Sequence, residues 1–538
     1  MGIKLLNKKD WQQAIVLVNK QLDSTNDETV KKQWMKYNNK EYYIHPTVLT
    51  YLDDQGGMIS LNMKTGFIHF LLGNELSKKE LLQVALDLTT IDLYAIYQTS
   101  DIALYKQFGF VQEQNQVHYT RETKKRFDNY DQVCHFIASQ KDRVYSLDNF
   151  KHYMQALHNP QLALNCVHIG GTNGKGSTTN YIREVLQDSG YKVGTFTSPA
   201  MYSRLDIIRV QNQFIDDATM VRFANRYVDL WLKYEISMFE IEVFIALMYF
   251  IEQGVDLAIF EVGLGGSLDA TNIIRPLVAV NTNIGMDHVD YLGHTYQSIA
   301  YNKAGIVKDG IDYITGERKA ECLDVFKEVC KKHHSKLIQV PQVQNIQDGY
   351  QVSYDYHDLH IVLNTPALYQ VDNSMLAISV LEYLKQHDNY QFSKETLLKG
   401  LYEASWPGRF EKIHEHPLVI LDGAHNKEGI ARFVEGAKKY QDVKIVFSAL
   451  KDKDTNHMIE QLLTLTDDLT ITQFPHPRGT TAKDLAKDYP VKIETDFKKA
   501  VDEAFCHQGT VFITGSLYFI SQVRQYLQTK EMISKELK

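Results

Sequence analysis

The chain has 538 residues, too many for one compact core, so about three domains are expected at roughly 100 to 200 residues each. Hydrophobic residues make up 44% and charged residues 23%, which leaves no large segment too polar to fold. The 58 basic and 66 acidic residues give a net charge of -8, a field that repels nucleic acid and acidic membrane.

The five cysteines (Cys134, Cys166, Cys322, Cys330, Cys506) are odd in number and widely spread, which argues against a disulfide framework. Cys322, Cys330, His333 and His334 fit no structural zinc spacing. Met1 to Asp10 has no signal-peptide core, and the longest apolar run, Val243 to Ile251, is too short to span a bilayer. A cytoplasmic monomer without nucleic-acid or membrane partners is expected.

In chain order, Met58 to Phe70 alternates as paired strands around the turn Lys64 to Gly66, and Lys78 to Leu88 has helical spacing. The charged stretch Thr123 to Asp131, followed by a helical run from Val133 to Gln140, marks a domain boundary. Apolar runs at Leu164 to Ile169, Lys192 to Thr197, Asp256 to Val262 and Pro276 to Asn283 then alternate with helical runs, as buried parallel strands do. A second α/β series follows Trp406 to Phe410, with strands at Leu418 to Leu421, Val443 to Phe447 and Thr510 to Thr514. The expected division is therefore residues 1-125, 126-408 and 409-538.

The segment Cys166-Val-His-Ile-Gly-Gly-Thr-Asn-Gly-Lys-Gly-Ser-Thr178 reads as a strand, a glycine-rich loop and a helix running to about Ser189. Glycines bring backbone N–H groups to phosphate oxygens, Lys175 supplies a point charge, and the helix N-terminus adds its dipole. A strict P-loop pattern fails, because Ile169 stands where the first glycine belongs. Three further segments end predicted strands, where doubly wound sheets gather ligands. They are Thr197-Ser198-Pro199, Glu261-Val-Gly-Leu-Gly-Gly-Ser-Leu-Asp-Ala-Thr-Asn272 and Asn283-Ile-Gly-Met-Asp-His288.

These motifs resemble the folylpolyglutamate synthase and dihydrofolate synthase family of Mur ligases from about Asn129 to Gln528. The resemblance implies an α/β fold: a central P-loop domain with a mostly parallel, doubly wound sheet, and a C-terminal Rossmann-like domain. It implies a phosphate cradle of Thr172, Asn173, Gly174, Lys175, Gly176 and Ser177. Ser198, Glu261 and His288 would hold Mg²⁺, and Lys303, in Asn302-Lys-Ala-Gly-Ile306, matches a lysine that the family carbamylates. Asn373 would face adenine, Arg409 the phosphates, and Asp422 the ribose with His425 close by. Ser237, Met238, Phe239 and Glu240, with Leu268, Asp269 and Ala270, would meet the pterin. Lys175, His288 and Lys303 are the implied catalytic group.

Taken singly, these residues also have ordinary roles. A Ser before Pro is commonly a turn, a strand-end Glu a solvated edge, and Phe239 with Glu240 a packing and capping pair. Ala200, Ile207 and Ser267 stand where the family carries histidine or arginine. The implied reaction joins L-glutamate to a folate, or to dihydropteroate, at the expense of ATP. A Mur-type ligase for another carboxylate and a nonenzymatic ATP- or folate-sensing protein are the alternatives. The first block ends Ala103-Leu-Tyr-Lys-Gln-Phe-Gly-Phe110, which looks like the close of a GNAT acetyltransferase, an α+β fold. It lacks that family's acetyl-CoA loop, so a noncatalytic GNAT-like domain serving regulation or docking is expected.

Overall fold

The computed structural model describes residues 2–25, 27–114, 116–121, 125–141, 146–201, 203–487 and 489–530. Thr123 and Lys124 of the expected boundary lie outside the described residues; the helix Tyr130–Ser139 begins just beyond, with the Asn129 side chain accepting Gln132 N. Four sheets occur among the described residues. No helix among them is long and apolar enough to cross a membrane.

The first sheet contains the expected hairpin, Met58–Asn62 against Phe67–Leu72. The helix Glu75–Leu88 packs its buried face, including Leu81, Leu82 and Ala85, on that hairpin. The sheet is antiparallel except where Phe67–Leu72 runs parallel to Leu93–Ala95.

The second sheet has the spatial order Gln213–Phe214, Ile208–Val210, Val193–Phe196, Leu257–Glu261, Cys166–Gly170, Val278–Asn281, Tyr313–Thr315, Leu337–Gln339. It is parallel from Val193–Phe196 onward, and the strand feeding the glycine loop sits in its interior. Every residue of Cys166–Gly170 and Leu257–Glu261 is buried, because helices cover both faces. The helix Lys175–Asp188 packs against Tyr369–His387, and the apolar helix Met238–Gln253 is buried almost all round.

A small antiparallel sheet, Gln344–Gln347, Val352–Tyr356 and Leu359–Leu363, was not evident from the sequence. Its strands alternate too briefly to be distinguished, and Val352, Tyr354, Ile361 and Leu363 reach the core by packing with the helices Tyr369–His387 and Lys394–Glu403. The last sheet runs Glu411–His414, Leu418–Asp422, Thr510–Thr514, Val443–Phe447, Leu469–Thr472, Lys492–Glu494, parallel but for its first strand.

One apolar cluster continues from Leu49 through Leu88 to Trp231 and Ile274, so the N-terminal and central units share a core. Their seam is also polar. Arg226 Nη2 donates to Leu86 O at 2.8 Å, Arg226 Nε to Thr89 O at 3.2 Å, and Tyr227 Oη to Leu88 O at 2.9 Å. These bonds cap carbonyls that the end of the helix Glu75–Leu88 leaves open. Arg226→Ala is expected to cost about 1–3 kcal/mol, measurable as a lower midpoint in urea unfolding.

Candidate active site

The glycine loop leaves the sheet at Gly170 and enters its helix at Lys175, with Gly174 left-handed at the N-cap. Gly171, at φ +130°, and Gly174, at φ +88°, have backbone conformations that disfavour side chains. A Cβ at Gly171 would stand 1.9 Å from Thr282 Oγ1, and one at Gly174 would stand 2.1 Å from Asn373 Oδ1. Thr172 is tied down, its N–H to Asn283 O at 2.8 Å and its hydroxyl accepting Gly285 N at 2.9 Å. Ser177 accepts Gln370 Nε2 at 3.3 Å, and a Cβ on Gly176 would meet the Trp406 indole at 2.8 Å.

Lys175 Nζ donates to Gly171 O and Thr172 O, both at 3.3 Å, and stands 3.8 Å from Glu261 Oε1. Burial pushes the Glu261 carboxyl up, opposed by the nearby charges of Lys175 and Arg409. Ser198, Glu261, Arg409 and Trp406 line one cleft with Gly176. Lys303 is buried and donates to Gly171 O at 2.9 Å; burial and the neighbouring Lys175 lower its pKa to about 7.

His288 heads a short helix at φ +51° and lies 3.9 Å from Asp287. Burial lowers its pKa to about 4 despite that carboxylate, and Lys453, His425 and Lys303 lower it further. Asp287 itself, unassigned in the sequence, is the centre of an interdomain network. Lys453 Nζ donates to its Oδ1 at 2.5 Å, Asn426 Nδ2 to its Oδ2 at 3.3 Å, and His425 Nε2 stands 3.6 Å away. Burial would raise its pKa, but the His425 hydrogen bond and the charges of His425, Lys453 and His288 hold it well below the usual range. Lys453 lies in Ala449-Leu-Lys-Asp-Lys-Asp454, a family-like segment without an assigned role. Only the folded chain shows which of its two lysines turns inward.

Asn173 and Asn426 exchange amide hydrogen bonds at 3.2 and 3.1 Å across the same junction. Asn373 is buried and donates to Gln370 Oε1 at 2.9 Å. Asp422 accepts Tyr369 Oη at 2.8 Å and Phe410 N at 2.9 Å on one oxygen, and Ala424 N at 2.9 Å on the other. The carboxylate expected at a ribose is thus engaged in shaping the Arg409 loop. His425 Nδ1 donates to Gly423 O at 2.8 Å, which leaves Nε2 toward Asp287.

At the start of the helix Met238–Gln253, Glu240 Oε2 accepts Ser237 N at 2.8 Å and Ser237 Oγ at 2.6 Å, a capping box, while its buried Oε1 has no partner. Phe239 covers Gly263 closely enough to exclude a Cβ there. Met238 Sδ receives Arg204, which also pairs with Glu242. Of the second expected segment only Leu268 is exposed. Asp269 accepts Leu264 N, Thr271 N and Thr271 Oγ1, and Ala270 is wholly buried, so these two shape the loop and offer no surface to a ligand.

The sequence from 169 to 381 matches the Mur ligase middle domain, and 408–517 matches the Mur ligase glutamate ligase domain. The chain is 36% identical over 409 residues to the dihydrofolate synthase/folylpolyglutamate synthase of Bacillus subtilis, covering 71% of this chain and 95% of that protein. The chain belongs to this family of Mur ligases. It is also 32% identical to the folylpolyglutamate synthase of Lacticaseibacillus casei, covering 70% of this chain and 92% of that one. The structure of E. coli FolC with DHPP and ADP superposes with a TM-score of 0.69 at 26% identity, covering 76% of this chain and all of that one, 100%.

Against family expectation, Ala200, Ile207 and Ser267 bring no cation to the cleft: Ile207 is buried, and Ser267 Oγ donates to Asn302 O at 2.9 Å. Arg209 lines the cleft instead, two residues beyond Ile207.

Two predictions follow from this geometry. Gly174→Ala should abolish ATP binding in calorimetry. Gly190→Ala, at φ +90° with open space around it, should keep affinity and lose only about 1–2 kcal/mol of stability. Lys453→Met should destabilise by about 1–3 kcal/mol, since Asn426 and His425 still face Asp287, and Asp287→Asn in the same chain should recover part of that loss in a double-mutant cycle.

Proposed function

We propose that the chain joins L-glutamate to a folate, with dihydropteroate as a second acceptor, at the expense of ATP. The observation that carries this reading is the convergence of Lys175, Glu261, Ser198 and Arg409 on one cleft in a member of this family. A terminal carboxylate oxygen of the folate attacks the γ-phosphorus, and ADP leaves. The glutamate amine then attacks the acyl carbon, phosphate leaves, and the amine gives up a proton as the amide forms.

Lys175 suits the phosphates because its present partners are two long carbonyl contacts, easily exchanged for charged oxygens. Arg409 brings a second cation from the C-terminal side, so domain closure would complete the clamp. Ser198 and the buried Glu261 would provide oxygen donors for Mg²⁺, with His288, which does not line that cleft, as a third candidate; the ion would neutralise charge on the transferring phosphoryl group. Glu261 fits that role chemically, since its burial with a lysine no nearer than 3.8 Å leaves a carboxylate that a cation would stabilise.

Phe239 and the unpartnered Glu240 Oε1 suit a flat ring bearing N–H donors. The parallel strand pair in the first sheet suits a GNAT-like fold, and the shared core suits a supporting role for it.

Mass spectrometry of products from purified protein with ATP, Mg²⁺, glutamate and either acceptor tests the reading. Glutamylated product from wild type and none from Lys175→Ala is expected; no glutamate-dependent ADP release with either acceptor would sink it. Lys303 is proposed as the carbamylated lysine. Its pKa near 7 makes the amine increasingly neutral, and so reactive toward CO2, as pH rises through that value. A carbamate signal in ¹³C NMR with labelled bicarbonate should therefore grow from pH 6 to 8 and be missing in Lys303→Ala.

A further inference from the structure

The C-terminal sheet carries a second cavity of about 610 Å³, a volume ordinary for a ligand site. It opens at the carboxyl ends of the parallel strands Leu469–Thr472 and Lys492–Glu494, where sheets of this kind take ligands. It adjoins the phosphate cleft. Leu517 lines that cleft, and the next residue, Tyr518, packs on His476 of the cavity with ring centroids 4.7 Å apart. Lys451 N donates to Arg478 O at 3.0 Å and Leu450 bridges Gly479, which joins the cavity rim to the loop that sends Lys453 to Asp287.

The lining combines one lysine and one acid with several neutral hydrogen-bond donors. Lys498 has no carboxylate partner among the described residues and lies 5.6 Å from the Tyr526 ring. His476 Nδ1 accepts Arg478 N at 3.1 Å, so Nε2 carries the proton and can donate. Thr480 and Thr495 form no side-chain hydrogen bond among the described residues. Asp496 is the single acid of the lining, and it caps the helix Phe497–Ala504 by accepting Lys498 N at 2.9 Å. Around the rim, Arg478 pairs with Asp452 at 3.2 Å, and both Arg478 and Lys141 are near enough to act on His476.

We propose that this cavity holds the earlier-added residues of a poly-γ-glutamate tail. The inference rests on the ligase reading. Each turnover adds one carboxylate and pushes the previous ones away from the cleft, and repeated carboxylates need repeated donors. The cavity supplies them in Lys498, His476, Thr480 and Thr495, and it is too large for a single glutamate.

Steady-state kinetics with a folate monoglutamate and a folate tetraglutamate separates the outcomes. In Lys498→Glu, and more weakly in Thr480→Ala, KM for the tetraglutamate should rise roughly tenfold while KM for the monoglutamate stays within about twofold. The product ladder should also stop at shorter chains. Equal shifts for both substrates, or none, would overturn the proposal. If wild type does not turn over the monoglutamate, the ligase reading has failed. Calorimetry with free tetra-γ-glutamate then still decides the cavity: binding lost in Lys498→Glu supports it, and no binding to wild type refutes it.

Discussion

The turn between Gly170 and Lys175 has room for backbone only, and the neighbouring elements are placed by that fact. Thr282 from the adjacent strand's end, Asn373 from the long helix and Trp406 from the domain junction each approach a loop glycine where a Cβ would stand. Two of the loop's N–H groups, those of Thr172 and Asn173, are tied to Asn283, which fixes the turn. The turn also brings two lysines, 175 and 303, onto the same Gly171 carbonyl. Lys175 stands 3.8 Å from the buried Glu261 carboxylate and makes only long carbonyl contacts, so its charge is available to a polyphosphate.

Both interdomain seams mix apolar and polar contacts, and Met201 and Ala367 join the apolar clusters of the C-terminal unit. Between the N-terminal and central units an apolar cluster runs without a break, so separating them would expose core. Between the central and C-terminal units the contacts around the cleft are amides, carboxylates and cations: Asn173 with Asn426, Asp287 with Lys453, and Glu428 accepting Met286 N at 3.2 Å. Polar partners of this sort can be exchanged for water or substrate at modest cost.

Ala200 and Ile207 bring no cation to the cleft, but two arginines lie nearby in the sequence. Arg209 lines the cleft, while Arg204 pairs with Glu242 next to Met238. Glu240 keeps a buried Oε1 without a partner beside its capping box.

Local patterns determined much of this protein by themselves. The alternating hairpin at Met58 to Leu72, the buried strands around Cys166–Gly170 and the glycine loop depend on period and backbone freedom, which neighbouring residues encode. Ser198, Glu261 and Arg409 are singled out only through the family resemblance, and the fold places all three on one cleft. Tertiary structure alone decided which polar groups are already satisfied. Asp422 and Asp269 have both oxygens engaged, Glu240 keeps one open, and Asp287 and Lys453, more than a hundred residues apart, form the buried pair at the cleft. Hydrogen-bond satisfaction and burial depend on contacts between distant segments, and no spacing along the chain records them.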